Sequence, residues 1–180
     1  RAIQSTAGAR HPPRPNAAAR LLHRLSAEDW RGAALGGCLL APDGEALLIA
    51  REPAAAAGSV PVEAGGTALW DGRWRAQSQA DERRRIGALG DAGVGVGDLI
   101  DADDDPAALR AAIPPAARGG LPAVWDEKGL RAVPALRWRR SGAAADVALT
   151  LAPSRPIATI WTAIGAGSLL GRAEGAHYVD

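Results

Sequence analysis

The stretch Leu69-Trp70-Asp71-Gly72-Arg73-Trp74 sets Asp-Gly between two tryptophans. That pattern marks a tight β-hairpin, with Trp70 and Trp74 packed on one sheet face across the turn. The same pattern recurs on both sides of it. Residues 33–41 and 46–52 flank Pro42-Asp43-Gly44-Glu45, a second hairpin. Residues 121–125 and 130–133 flank Asp126-Glu127-Lys128-Gly129, a third. Residues 86–89 and 147–151 read as further short strands. The Ala-, Gly- and Pro-rich run 54–67 reads as a loop, and so does the polar run 77–85.

Upstream, Arg10-His11-Pro12-Pro13-Arg14-Pro15 is a stiff lead, because each proline fixes its own φ and biases the residue before it towards extended backbone. Asn16 is then the expected N-cap of a helix through Leu25. Its apolar stripe is Ala18, Leu21, Leu22 and Leu25, with Arg20, His23 and Arg24 on another face. Ser26-Ala27-Glu28-Asp29 has the form of a capping box for a further short turn. Downstream of residue 90 a Gly- and Asp-rich linker leads to Asp105. There a helix is expected with Pro106 in its first turn, Leu109 and Ile113 buried, and Pro114-Pro115 ending it.

The fold class is therefore α+β. A short basic helical lead-in over 1–31 precedes a small hairpin-rich mixed domain over 32–152, and 153–180 forms a tail.

Nearly half of the 180 residues are hydrophobic (47%), but 42 are Ala, none is Phe or Met and one is Tyr. The core must rest on Leu, Ile, Val and six Trp, and at about 25 cal/mol per Å² of apolar burial such a core is thin. Marginal stability and support from a neighbouring domain are expected. The chain opens on Arg1 rather than Met, which reads as a piece of something longer.

The net charge of +1 conceals separation of the charges. All basic residues but Lys128 are Arg. Residues 1–40 carry six Arg against Glu28 and Asp29, residues 131–155 carry five against Asp146, and residues 91–105 hold six Asp and no base. Arginine is the better phosphate fork, so clustered Arg fits an RNA-facing surface as well as an ordinary solvated one. A lone Cys38 excludes an intrachain disulfide and points to a reducing compartment. No signal peptide opens the chain. The most apolar run, residues 157–171, is too short to span a bilayer. A soluble, cytoplasmic protein without membrane contact is expected.

Catalytic signatures are missing. Three His and one Cys without ligand spacing argue against zinc. Cys38 lacks a partner base and reads as a small core residue. No phosphate-binding glycine loop precedes a helix. The run Asp101, Asp103, Asp104, Asp105 reads as a solvated helix cap. No catalytic, cofactor or metal residue is assigned.

In order along about residues 8–140, several segments resemble the region that follows the catalytic domain in tRNA(Ile)-lysidine synthases of the alphaproteobacterial kind. His11-Pro12-Pro13-Arg14 ahead of Arg20-Leu21-Leu22 is similar to the family's aromatic-Pro-Pro-Arg lead, with His in the place of the usual Tyr. Leu35-Gly36-Gly37-Cys38 with Ile49-Ala50-Arg51-Glu52-Pro53 resembles its first hairpin, and Trp70-Asp71-Gly72-Arg73-Trp74 its Trp-Asp-Gly-Arg-aromatic hairpin. Ile86-Gly87-Ala88-Leu89-Gly90, Leu121-Pro122-Ala123-Val124-Trp125-Asp126 and Ala132-Val133-Pro134 complete the series. The segment after Pro153 does not follow the pattern.

The resemblance implies a non-catalytic C-terminal portion of an ATP-dependent ligase that joins lysine to the wobble cytidine of tRNA(Ile). ATP and Mg would belong to an N-terminal PP-loop domain with a Ser-Gly-Gly-x-Asp-Ser motif, which does not occur here, so this chain would have no cofactor of its own. Its partners would be tRNA(Ile) and that catalytic domain, and alone it would form no lysidine. The tRNA-contact candidates are Arg14, Arg20, Arg24, Arg73, Arg75, Arg83, Arg84 and Arg85, since arginine–phosphate contacts supply most of the affinity for RNA. Trp70, Trp74 and Trp125 can stack on bases or fill the core. Arg51, Glu52 and Asp71 read as structural hairpin charges. The alternative role is a structural or homodimerising module without RNA contact.

Overall fold

The computed structural model describes residues 1–27, 29–92 and 113–156. Within them the chain is a mixed α+β fold of three short helices and eleven strands in three antiparallel sheets. Glu28, the expected helix from Asp105 with its Gly/Asp-rich lead, and the tail beyond residue 156 lie outside the described residues.

Helix α1 (Ala2–Thr6) is followed by the proline segment and helix α2 (Pro15–Leu25). The second helix begins two residues earlier than Asn16 capping implied. Pro15 takes the first helical position, where its missing N–H costs nothing, and the Arg14 carbonyl accepts from the N–H groups of Ala17 and Ala18. Among the described residues no helix begins at Ser26; turns at Ala27 and Trp30 carry the chain onward.

The expected strand over 33–41 is two strands, β1 (Ala33–Leu35) and β2 (Cys38–Asp43). Between them Gly36 (φ 60°) and Gly37 (φ 77°) both occupy the left-handed region. A two-residue loop with that pair of dihedrals matches the twist of the strands it joins, so the chain reverses there instead of running on. Gly44 then turns β2 into β3 (Ala46–Arg51), giving the meander β1-β2-β3.

The expected loop over 54–67 holds a strand, β4 (Val60–Val62), at the edge of a five-stranded sheet. Pro61 there has no N–H to offer, which an edge position tolerates. Strands β5 (Thr67–Trp70) and β6 (Trp74–Ser78) form the Trp hairpin, with Trp70 paired opposite Trp74 as expected. Strand β7 (Arg84–Ala88) starts two residues before the expected position. Helix α3 (Pro115–Arg118) is a single turn that Pro115 opens, where Pro114-Pro115 had been expected to end a helix. The remaining strands are β8 (Pro122–Asp126), β9 (Gly129–Val133), β10 (Trp138–Arg139) and β11 (Val147–Leu151). The second and third sheets run β10-β9-β8-β7-β4 and β11-β6-β5.

These two sheets pack face to face. Val62, Ile86, Ala88 and Val124 meet Trp70 and Ala76 between them, with Trp74 and Leu149 alongside. On the other face of the five-stranded sheet, Leu89, Ile113, Leu121, Ala123, Val133 and Leu136 form a second cluster, with Trp125 and Trp138 packed against it. Consecutive Ala123 and Val124 therefore serve opposite faces, as strand periodicity requires. Trp70 is fully buried; Trp30, Trp74, Trp125 and Trp138 are half-buried.

The first residues of the lead-in are part of this body. α1 packs on β3, and Gly8 meets the tip of the Trp hairpin. A Cβ on Gly8 would stand 2.1 Å from the Asp71 carbonyl oxygen, and one on Gly72 would stand 2.4 Å from the Gly8 carbonyl oxygen. Both glycines also have positive φ, so no other residue fits this backbone crossing. No described helix is long and apolar enough to cross a membrane.

Candidate functional site

Three groups of arginines differ in what surrounds them. The first centres on Asp71, at the tip of the Trp hairpin with φ 52°. Its carboxylate takes a two-pronged contact from Arg51, with Nε to Oδ2 at 2.8 Å and Nη2 to Oδ1 at 2.7 Å. It also accepts from Arg73 Nε (3.0 Å) and from the Ala57 N–H (2.9 Å). Arg51 reaches back to the carbonyls of Gly37 (2.6 Å) and Ala55, while Trp70 Nε1 donates to the carbonyls of Ala57 and Gly58. The cluster therefore ties the β1–β2 turn, β3, the segment 55–58 and the hairpin tip into one unit. Burial alone would raise the Asp71 carboxyl, but the hydrogen bonds from Arg51, the Ala57 N–H and the Arg73 charge hold it below the usual carboxylate range. Arg51 and Asp71 act as the structural charges expected of them.

Cys38 lies beside this cluster, fully buried, with Sγ 3.4 Å from the Ile3 carbonyl oxygen. Burial pushes its thiol up to about 11, outweighing the nearby Arg51 and Arg73 charges. It fills core space, and burial disfavours its thiolate at neutral pH. In the folded chain at neutral pH, Cys38 is expected to react with a disulfide reagent about a hundredfold more slowly than in urea. A chromogenic thiol assay under both conditions checks this, and equal rates would refute it.

The second group draws on strands β7, β8 and β9, with Arg140 just beyond β10 and Asp146 just ahead of β11. Arg84 is buried and directs Nε and Nη2 to Asp146 Oδ2 (3.2 and 3.0 Å). Arg131 bridges Asp146 and Asp126, with Nη2 2.8 Å from Asp146 Oδ2 and Nη1 3.1 Å from Asp126 Oδ2. Arg140 Nη2 also reaches Asp126. Burial would raise the Asp126 carboxyl, yet hydrogen bonds from Arg140 and Arg131 and from the Lys128 N–H bring it down to about 2. These guanidinium groups border a cavity of about 460 Å³ whose lining also includes Arg83, Lys128 and Ser141 and the acids Glu82 and Glu127.

The third group lies on α2. Arg20 and Arg24 are exposed and line a shallow groove of about 200 Å³ between α2 and β1, with Leu21 and Leu35 on its floor. Arg14 is exposed at the helix start, and no acidic residue occurs from Arg14 to Leu25.

The sequence-predicted arginines therefore separate. Arg14, Arg20, Arg24, Arg75 and Arg85 face solvent. Arg75 sits on β6 opposite Leu69 and Thr150, and Arg85 has Nη1 3.4 Å from Ser59 Oγ. Arg83 is exposed and paired with Glu63 at 3.0 Å, a pair of small worth in solvent. Arg73 and Arg84 are buried on carboxylates; strand alternation turns Arg84 inward with Ile86 and Ala88 while Arg85 points the other way. Trp70 belongs to the core, and Trp74 and Trp125 pack against it. Sequence reasoning missed Arg131, Arg140, Asp126 and Asp146 as a cluster, although the Arg excess around Asp146 was visible.

Among the described residues no three His, Cys, Asp or Glu side chains converge as metal ligands would. Comparison of the chain with protein-family models, with curated proteins and with solved structures gives no match.

Proposed function

We propose that this chain is the tRNA-holding accessory region of a tRNA(Ile)-lysidine synthase, with the chemistry carried out by a separate PP-loop domain that binds ATP and Mg. The observation that carries the reading is the exposed, acid-free basic segment of Arg14, Arg20 and Arg24, set within a series of segments that follows the family's order. It also fits that the two segments most like the family's hairpins, Arg51-Glu52-Pro53 and Trp70 to Trp74, meet at a shared ion-pair cluster. That gives their charged residues a common reason to occur together. Exposed guanidinium groups would grip phosphates without reading bases, positioning the tRNA for the catalytic domain.

Binding of a tRNA(Ile) transcript by this chain should therefore weaken steeply with salt. Replacing Arg20 and Arg24 by Glu should reduce the log–log salt slope by about 2, since each phosphate contact contributes about 0.9, while thermal unfolding stays unchanged because both side chains are exposed. A salt-independent affinity, or an unaltered slope in the variant, defeats the reading. Loss of self-association instead of RNA binding would favour the homodimerising module.

A further inference from the structure

We propose that the cavity between the β8–β9 turn and the segment 140–143 binds a phosphate-class oxyanion. This site is separate from the α2 face, goes beyond the tRNA reading and does not depend on it.

The buried part of the cluster is unbalanced. Arg84, Arg131 and Arg140 share the two carboxylates of Asp126 and Asp146, whose side chains are 10% and 12% exposed. Two further acids line the cavity, Glu82, which pairs with Arg84 at 3.0 Å with its side chain 80% exposed, and Glu127. The lining as a whole carries five basic side chains, Arg83, Arg84, Lys128, Arg131 and Arg140, against the three acids Glu82, Asp126 and Glu127, and so keeps an excess of positive charge at the cavity wall.

The same carboxylates fix the guanidinium groups in place, so a ligand would meet donors already oriented, which reduces the ordering cost of binding. Arg140 uses Nη1 on the Leu130 carbonyl and Nη2 on Asp126, and its Nε has no partner among the described residues. The Ser141 hydroxyl and the open turn closed by the Ala143 N–H to the Arg140 carbonyl (2.9 Å) complete a polar wall. Gly142, with φ 74°, leaves that turn open, since a Cβ there would touch nothing within 4 Å. The Arg140 Nε–H left over from these contacts, beside the Ser141 hydroxyl, suits an oxygen of phosphate. At about 460 Å³ the cavity has room for a diphosphate. The phosphate can belong to an RNA backbone or to a small phosphorylated molecule.

Titration of the full chain with inorganic pyrophosphate at low ionic strength, read by calorimetry, tests the site. Saturable binding near one equivalent is expected. Ser141→Asp, an exposed change that leaves the ion-pair network intact, should weaken it about tenfold or more by setting a like charge against the anion, while Arg20→Glu/Arg24→Glu should leave it unchanged. No saturable binding up to about 10 mM, equal affinity in a folded Ser141→Asp variant, or loss of binding in the α2 variant would each overturn the proposal. Competition then identifies the source of the phosphate. If a tRNA transcript displaces pyrophosphate from the wild-type chain, the site takes an RNA phosphate; if both bind together, it takes a small phosphorylated molecule. Because the two sets of variants lie on different surfaces, failure here and failure of the tRNA reading are distinguishable.

Discussion

Replacing Asp71 by Ala is expected to destabilise the chain by about 3–5 kcal/mol, because it strands two enclosed guanidinium groups. The Arg51 and Arg73 side chains are 9% and 10% exposed, and Asp71 itself is 2% exposed. Neither arginine can recover full hydration without opening the junction of β3 with the Trp hairpin, and the Ala57 N–H loses its acceptor as well. Against a typical stability of about 5–15 kcal/mol, such a loss brings the fold close to collapse. Urea denaturation followed by circular dichroism measures it, and a loss below about 1 kcal/mol would show that the pairing contributes little. A triple replacement, Arg51→Met with Asp71→Leu and Arg73→Met, should restore much of the stability, since apolar groups of similar volume need no partners.

The effect carries a pH signature. Asp71 has its carboxyl pKa lowered in the folded chain, so its contribution is fully present above the unfolded value of about 3.9 and is lost as the pH falls through the folded value. The difference between wild type and Asp71→Ala should therefore be constant at neutral pH and shrink only in strong acid.

Trp70→Ala should be comparably severe, at about 3–5 kcal/mol. Trp70 is fully buried between the two packed sheets, among Val62, Ala76, Ile86 and Val124. These neighbours are small or β-branched and cannot close over the space an indole leaves. The carbonyls of Ala57 and Gly58 would lose their shared donor. Trp70→Phe keeps most of the ring volume and removes only the N–H, so it should cost about 1–3 kcal/mol. The gap between the two variants, from the same denaturation experiment, separates packing from hydrogen bonding. Equal losses would mean that the indole N–H dominates, contrary to the packing seen here.

Both residues belong to the hairpin whose turn is the plainest in the chain, and their burial follows from different kinds of information. Asp-Gly between tryptophans, the Gly44 turn and the turn between β8 and β9 are set by a few neighbouring residues, because turn dihedrals and strand alternation are local properties. The α+β class, the three hairpins, the last strand and most of α2 were therefore legible from the order of residues. Gly36-Gly37 carried the same kind of signal for a further reversal, but lay inside an apolar run long enough to read as one strand. Strand β4 gave no such signal: Val60-Pro61-Val62 becomes a strand only because β7 offers it an edge.

Charge behaved in the opposite way. An arginine has the same composition whether it meets solvent, a carboxylate or a phosphate, so Arg73 and Arg84 could not be told in sequence from Arg20 and Arg24. The pairings that distinguish them join residues far apart, Arg51 with Asp71 across 20 positions and Arg84 with Asp146 across 62. Periodicity and turn chemistry established where the chain bends and which residue types it could offer a phosphate. Only the packing of the sheets decided which arginines are held by aspartates and which remain to meet a partner, because desolvation depends on what the rest of the chain brings alongside each one.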